Sequence, residues 1–160
     1  MKNFLKYTFI ALLLISLSLS LFACANTPEA TEGEKTFDVI FLDAESNLVV
    51  KIGFDKTSES YLEYALYSVA NEEGSKITFD ASVGGQYGSY LHSFTYDTVT
   101  YGTGTSQYIA IYIASTDATL IMPESESFRY QDKDYYMTAY GISKMPLIDG
   151  INYLLMVSSY

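Results

Sequence analysis

The chain has 160 residues, with 9 Lys or Arg against 19 Asp or Glu, and its formal net charge is −10. A chain this acidic repels phosphate backbones, which argues against nucleic-acid binding. It has one cysteine and one histidine, so it cannot form an internal disulfide or a zinc-type site built from several His and Cys ligands.

The first residues have the layout of an export signal. Two lysines precede an apolar run over residues 7–21 that is shorter than the ~20 residues a spanning helix needs. The run ends in Leu21-Phe22-Ala23-Cys24, which resembles a lipobox. We therefore expect a signal peptide over residues 1–23 and a lipid on Cys24 that holds the protein at the outer face of a bacterial cell membrane. The alternative is an ordinary secretory signal with an incidental cysteine.

The segment after the cysteine predicts a tether followed by one domain. Residues 24–35 are polar, contain a proline and a glycine, and predict a flexible tether. Residues 36–160 suit a single domain. Removing the two signal lysines from the net charge of −10 leaves −12, so we expect no basic surface that docks on anionic lipid.

Two alternating segments predict a β-hairpin. Residues 36–43 place Phe37, Val39 and Phe41 on one face and Ile40 and Leu42 on the other, a pattern typical of a central strand. Residues 44–47 read as a turn, and residues 47–54 form a second strand. The inner face of that strand consists of Leu48, Val50, Ile52 and Phe54.

One amphipathic helix follows. Ser60 and Glu63 have the spacing of a capping box, with Thr57 and Ser58 as other candidate caps, and Gly74 is a candidate C-terminal cap. The apolar stripe consists of Leu62, Ala65, Leu66 and Val69.

The rest of the chain alternates short strands with turns. Residues 98–106 are expected to turn, and residues 116–134 to form a long, partly ordered excursion. Strands are expected at residues 76–79, 89–96, 107–114, 135–140 and 151–157, the last of which closes the sheet. The order of elements predicts an α+β fold, a mixed β-sheet with one amphipathic helix packed on one face.

Four stretches carry a resemblance to a known family: residues 37–54, 57–66, 87–94 and the tail from Tyr108 to Tyr153. Together they resemble the transcobalamin C-terminal-like domain, a β-grasp-type unit found in cobalamin carriers and bacterial surface proteins. The resemblance implies a β-grasp-like sheet and makes cobalamin a candidate ligand. In the carriers, a larger helical domain supplies much of the cobalamin site, and this chain has no such domain.

Residues suited to catalysis or to metal binding are few. His92 is alone, and Asp132 and Asp134 lack the glycine and the distal glutamate of a calcium loop. Neither glycine-rich stretch has the lysine and helix of a phosphate loop. We therefore expect no enzyme activity, no metal and no cofactor.

Aromatic residues offer the better candidate site. Six ring-bearing residues fall within fifteen positions: Tyr87, Tyr90, His92, Phe94, Tyr96 and Tyr101. Alternation along the strand expected at residues 89–96 places four of them on one face: Tyr90, His92, Phe94 and Tyr96. They either fill the core or form a binding surface, and a helix with four stripe residues is too small to cover them all. The predicted function is a non-catalytic binding module for a small ligand such as a corrinoid, which it captures or hands to a transporter. The alternative is a module that docks a partner protein or a cell-surface polymer and binds no small molecule.

Overall fold

The computed structural model describes residues 28–82, 84–103 and 106–159, which form two sheets and one helix. The large sheet contains β1 (Lys35–Leu42), β2 (Leu48–Thr57), β6 (Gln107–Ile113), β7 (Ser127–Tyr130), β8 (Lys133–Met137) and β9 (Tyr153–Ser159). The small sheet contains β3 (Ile77–Ala81), β4 (Leu91–Tyr96) and β5 (Val99–Tyr101), and helix α1 spans Leu62–Ala70. The expected signal peptide and Cys24 lie outside the described residues. Within those residues, no helix is long and apolar enough to cross a membrane.

The large sheet is mixed, with the strand order β2-β1-β9-β6-β8-β7. β1 and β9 run parallel, and the other pairs are antiparallel. This confirms the broad α+β prediction of mixed strands with one helix. Two details of the prediction were wrong: β3, β4 and β5 form a separate sheet, and β9 lies inside the large sheet between β1 and β6 instead of closing it.

The predicted hairpin is confirmed, and the faces of β1 are as expected. On β2, Leu48 was predicted for the inner face but is 52% exposed, and the strand pairing shifts by one residue at this end of the hairpin, where Leu42 pairs with Leu48. Phe37, Val39 and Phe41 lie in the main core, which they share with α1 and the small sheet. Ile40 and Leu42 lie in a second core on the opposite face of the large sheet. β1 is buried on both faces because the main core covers one face of the large sheet and the second core covers the other.

The second core accounts for part of the tyrosine excess. Tyr112 and Tyr135 are buried there, and Phe128 packs at 6.0 Å from the Tyr112 ring. Tyr130 and Phe128 of the edge strand β7 pack against the same core as Ile40 and Leu42 of β1.

Helix α1 begins without the predicted side-chain cap. Its N-cap residue is Tyr61, and no side chain caps the helix. Instead, the Leu62 N–H donates to the Met145 carbonyl at 3.0 Å and the Glu63 N–H to the Ile142 carbonyl at 3.1 Å. A distant backbone segment therefore satisfies N–H groups that a serine would otherwise serve. The predicted apolar stripe does face the main core. The helix ends with Asn71 as its C-cap residue, where Gly74 was the predicted candidate.

The predicted excursion contains an ordered hairpin. β7 and β8 pair from Ser127 to Tyr136, and a two-residue turn, Gln131-Asp132, joins them. Both turn residues have positive φ, 47° and 61°. Non-glycine residues adopt this left-handed conformation at a cost in free energy. Two-residue hairpin turns in which both residues have positive φ therefore prefer the sequence Asn-Gly.

Replacing Gln131-Asp132 by Asn-Gly should stabilise the domain by about 1 kcal/mol, because it relieves the left-handed strain at both positions. The change removes two exposed contacts that contribute little, the Arg129–Asp132 ion pair at 3.9 Å and the hydrogen bond that the Gln131 side chain donates to the Tyr130 hydroxyl at 3.3 Å. Urea unfolding followed by circular dichroism measures the effect as a higher midpoint with an unchanged slope. An unchanged or lower midpoint would show that the turn is not strained.

Candidate functional site

A β-bulge in β4 decides which of the predicted site residues reach the surface. Asp80 of β3 pairs with Ser93, but the next residue, Ala81, pairs with Leu91. His92 is therefore the extra residue of a bulge, and a bulge resets the alternation of the strand. Leu91 and Phe94 both point into the main core as a result.

The predicted aromatic set is split between core and surface. Phe94 is 1% exposed, and its ring lies 4.2 Å from Phe41 and 4.9 Å from the stacked ring of Tyr101. Tyr96 and Tyr101 are partly buried against the main core. The prediction that Phe94 shares a face with Tyr90 and His92 was wrong, because the bulge at His92 separates them.

The exposed members of the set are Tyr87, Tyr90 and His92. The two tyrosines are 48% and 46% exposed, and His92 is also exposed. Tyr87 lies in the loop between β3 and β4, Tyr90 immediately before β4, and His92 at the bulge. These three residues remain the candidate binding residues.

A rigid contact between two loops holds the two tyrosines in place. The Gly141 N–H donates to the Tyr87 carbonyl and the Ile142 N–H to the Ser89 carbonyl, both at 2.7 Å. A Cβ on Gly141 would lie 2.2 Å from the Ser89 carbonyl oxygen, so the two backbones approach as closely as only glycine permits. The Ser143 hydroxyl also accepts a bond from the Ser89 N–H at 2.7 Å.

A groove opens beside the exposed tyrosines. It has a volume of about 370 Å³ and lies between the start of β4, with Tyr90 and His92, and the start of β6, with Gln107, Tyr108 and Ile109. A second hollow of about 160 Å³ shares Tyr90, Tyr108 and Ile109 with the first. We call the two hollows together the Tyr90 groove.

Several residues of the Tyr90 groove were not predicted from the sequence. Tyr108 belongs to β6, Met122 precedes β7, and Met137 and Tyr140 lie at the end of β8 and just after it. From the sequence, Tyr108 was predicted only to lie in a strand, because the other residues that line the groove with it are distant from it in the chain. The only available signal was the concentration of tyrosine and methionine in this part of the chain.

The lining of the Tyr90 groove suits an apolar ligand. It contains no lysine, arginine, aspartate or glutamate. Partial burial, and to a lesser degree the neighbouring Tyr87, raise the pKa of the Tyr90 hydroxyl. The hydroxyl therefore stays protonated at neutral pH and can donate a hydrogen bond. Among the described residues, no group of three His, Cys, Asp or Glu side chains could hold a metal ion.

Comparisons with known proteins support the fold. No protein-family model matches the chain, and no curated protein matches it. A crystal structure of a "putative metal binding protein" from Ruminococcus gnavus matches with a TM-score of 0.51 and 18% sequence identity. The match covers 79% of this chain and 99% of that one. At this identity, the likeness is one of fold alone.

Proposed function

We propose that the protein is a non-catalytic binding module that holds a flat, largely apolar ligand in the Tyr90 groove. The observation that carries this proposal is the exposure of Tyr87 and Tyr90 on a glycine-locked loop, with Tyr90 lining an uncharged groove of about 370 Å³. Small-ligand pockets have volumes in this range and combine apolar walls with a few polar groups. Rigid tyrosines supply apolar area with a polar tip.

We also propose that the fold is of the β-grasp type and that the family is that of the transcobalamin C-terminal-like domain. Its support is the order β2-β1-β9-β6-β8, with β1 and β9 parallel at the centre and the helix following the first hairpin. On this proposal a corrinoid is the first ligand to test. The groove is small, so it would hold one edge of a corrinoid and leave the remainder exposed.

Anchoring at the outer face of a bacterial membrane, through lipid on Cys24, is the third part of the proposal. Its support is the positive start, the apolar run and the cysteine after Ala23. Metal binding, which the description of the Ruminococcus gnavus structure mentions, has less support here. The part of the chain that the structure describes brings no three His, Cys, Asp or Glu ligands together.

Titration of the purified domain with cobalamin and with cobinamide tests the ligand. We expect a change in absorbance on binding and a higher melting temperature, because a ligand that binds only the folded state stabilises it. The double variant Tyr87→Ser/Tyr90→Ser should lose this shift and still fold, since both side chains are about half exposed.

The matched control is Tyr64→Ser, which removes an equally exposed tyrosine on α1. It should leave binding unchanged. No shift with either corrinoid at high micromolar concentration would discard the corrinoid, and equal binding by the wild type and the double variant would discard the groove as its site.

The second candidate is a module that docks a partner protein, such as a transporter subunit or a cell-surface protein. It is favoured by Tyr87 and Tyr90 being exposed together, because rigid tyrosines are enriched at protein interfaces. In this case the immobilised domain should retain a protein from cell-envelope extract, and the Tyr87→Ser/Tyr90→Ser variant should not. Retention by both forms would exclude the two tyrosines from the interface.

A further inference from the structure

The chain joins the domain at one end of the large sheet. The Thr31 hydroxyl donates to the Leu147 carbonyl at 2.8 Å. Lys35, which is 2% exposed, donates from Nζ to the carbonyls of Gly33 and Glu59, both at 3.1 Å. The last part of the predicted flexible tether is therefore fixed to the fold. We call this part of the surface, around Thr31, Lys35, Glu59 and Leu147, the tethered end.

The Tyr90 groove lies toward the opposite end of the sheet. β1 and β9 run parallel away from the tethered end, with Leu42 beside Met156. β6 runs antiparallel to β9, so its last residue, Ile113, pairs with Tyr153 and its first residue, Gln107, pairs with Ser159. Gln107 and Tyr108, which line the groove, are therefore at the far end, which we call the distal end. The eight residues of β1 separate the two ends by about 23 Å.

Resting on the proposed lipidation of Cys24, we infer that the tethered end is the surface that faces the bilayer and that the Tyr90 groove lies at the end of the domain away from it. Six residues lie between Cys24 and the fixed Thr31, so the two are seven Cα–Cα steps apart, and a flexible chain of this length spans about 15 Å on average. The distal end, about 23 Å from the tethered end, reaches the membrane in its place only if the tether is stretched close to its full extension of about 25 Å, which costs conformational entropy.

Charge at the tethered end favours a domain that stands clear of anionic headgroups. Glu29, Glu32, Glu34 and Glu59 lie on or beside the segment fixed by Thr31 and Lys35. The surface potential of an anionic leaflet repels such a group over roughly a Debye length, ~8–10 Å. This repulsion holds the domain off the bilayer surface and acts against the tether, so the tether, not the charge, determines which end faces the membrane.

Energy transfer from single tryptophans to labelled lipid measures this orientation. The chain contains no tryptophan, so each introduced one is the sole donor. Tyr64→Trp places it on the first turn of α1 at the tethered end, and Leu48→Trp places it beside Leu42 at the distal end. Both native side chains are exposed, 54% and 52%, so neither change disturbs the core.

The variants are purified as lipoproteins and reconstituted in vesicles of phosphatidylcholine and phosphatidylglycerol that carry a dansyl-labelled headgroup. We expect transfer to be several-fold more efficient from Tyr64→Trp than from Leu48→Trp. Adding Thr31→Val, which removes the hydroxyl donor, should reduce this difference while the fold is retained. Equal transfer from the two positions, or greater transfer from Leu48→Trp, would overturn the inference.

The lipid and the orientation are tested separately. Mass spectrometry of the N-terminal peptide shows whether Cys24 carries the lipid, and a free thiol there would contradict the proposed anchor. In that event, coupling Cys24 of the same variants to a maleimide lipid still measures the orientation that the fold imposes. Ligand titration of the detached domain remains independent of both measurements.

Discussion

Gly141→Ala should lower the free energy of unfolding by about 3 kcal/mol. The new Cβ would lie 2.2 Å from the Ser89 carbonyl oxygen and 2.7 Å from its carbon, both backbone atoms that cannot rotate away. Relief would require the loops to separate, which would break the bonds from Gly141 to Tyr87 and from Ile142 to Ser89. Overpacking and the loss of buried hydrogen bonds each cost 1–3 kcal/mol. Urea unfolding gives the measurement.

The matched control for this variant is Gly85→Ala in the same tyrosine-bearing loop. A Cβ on Gly85 meets nothing within 4 Å, so its effect should stay within about 0.5 kcal/mol. If the two alanine variants were equally stable, the contact between the loops would not be close. The Gly141→Ala variant should also weaken ligand binding beyond its loss of stability, because this contact positions Tyr87 and Tyr90.

Phe94→Ala should destabilise the domain by about 3–5 kcal/mol, the range for removing a large aromatic side chain from a core. The ring is 1% exposed and packs between the rings of Phe41 and Tyr101. Alanine would leave a cavity there that these rigid neighbours cannot fill. Thermal and urea unfolding of the variant and the wild type measure the loss.

Tyr90→Ala is the control that tests the bulge. Under unbroken alternation, Tyr90 and Phe94 would share a face and their replacements would have similar effects. With the bulge at His92, Tyr90→Ala should cost less than about 1 kcal/mol, since the side chain is 46% exposed. Comparable large losses would contradict the bulge and place Tyr90 in the core with Phe94, whereas comparable small losses would return Phe94 to the candidate site.

Features encoded by local periodicity were predictable from the sequence. The alternation of residues 37–54 gave the first hairpin and both faces of β1, although Leu48 on β2 is exposed, and the spacing of the helix stripe gave the buried side of the helix. In both cases the pattern of apolar residues and the buried surface lie on the same element, so no knowledge of distant partners was needed.

Features that depend on distant partners were not predictable. The helix cap comes from the backbone of residues 142–145, and the small sheet separates from the large one without any change in strand pattern. The bulge at His92 inserts one residue into an otherwise regular alternation. The aromatic set was therefore found, but its division into core and surface required the pairing of β3 with β4.

Only the part of the candidate site that is formed by residues close together in the sequence was predictable. Tyr87, Tyr90 and His92 are near each other in sequence and remain near each other in the fold. Tyr108 and Met122 complete the groove only because β6 and the segment before β7 are folded against the start of β4. Likewise, the hydrogen bond from Thr31 to Leu147 joins residues that are 116 positions apart in the sequence.

Mapping of amide chemical shifts with a small flat probe tests the central claim most directly. Benzimidazole, added to isotopically labelled domain, should shift the amide signals of Tyr90, His92, Tyr108 and Ile109 most strongly, and Tyr90→Ser should abolish these shifts. Shifts concentrated on another surface, or none at concentrations where the probe stays soluble, would contradict the assignment of the Tyr90 groove as a ligand-binding site.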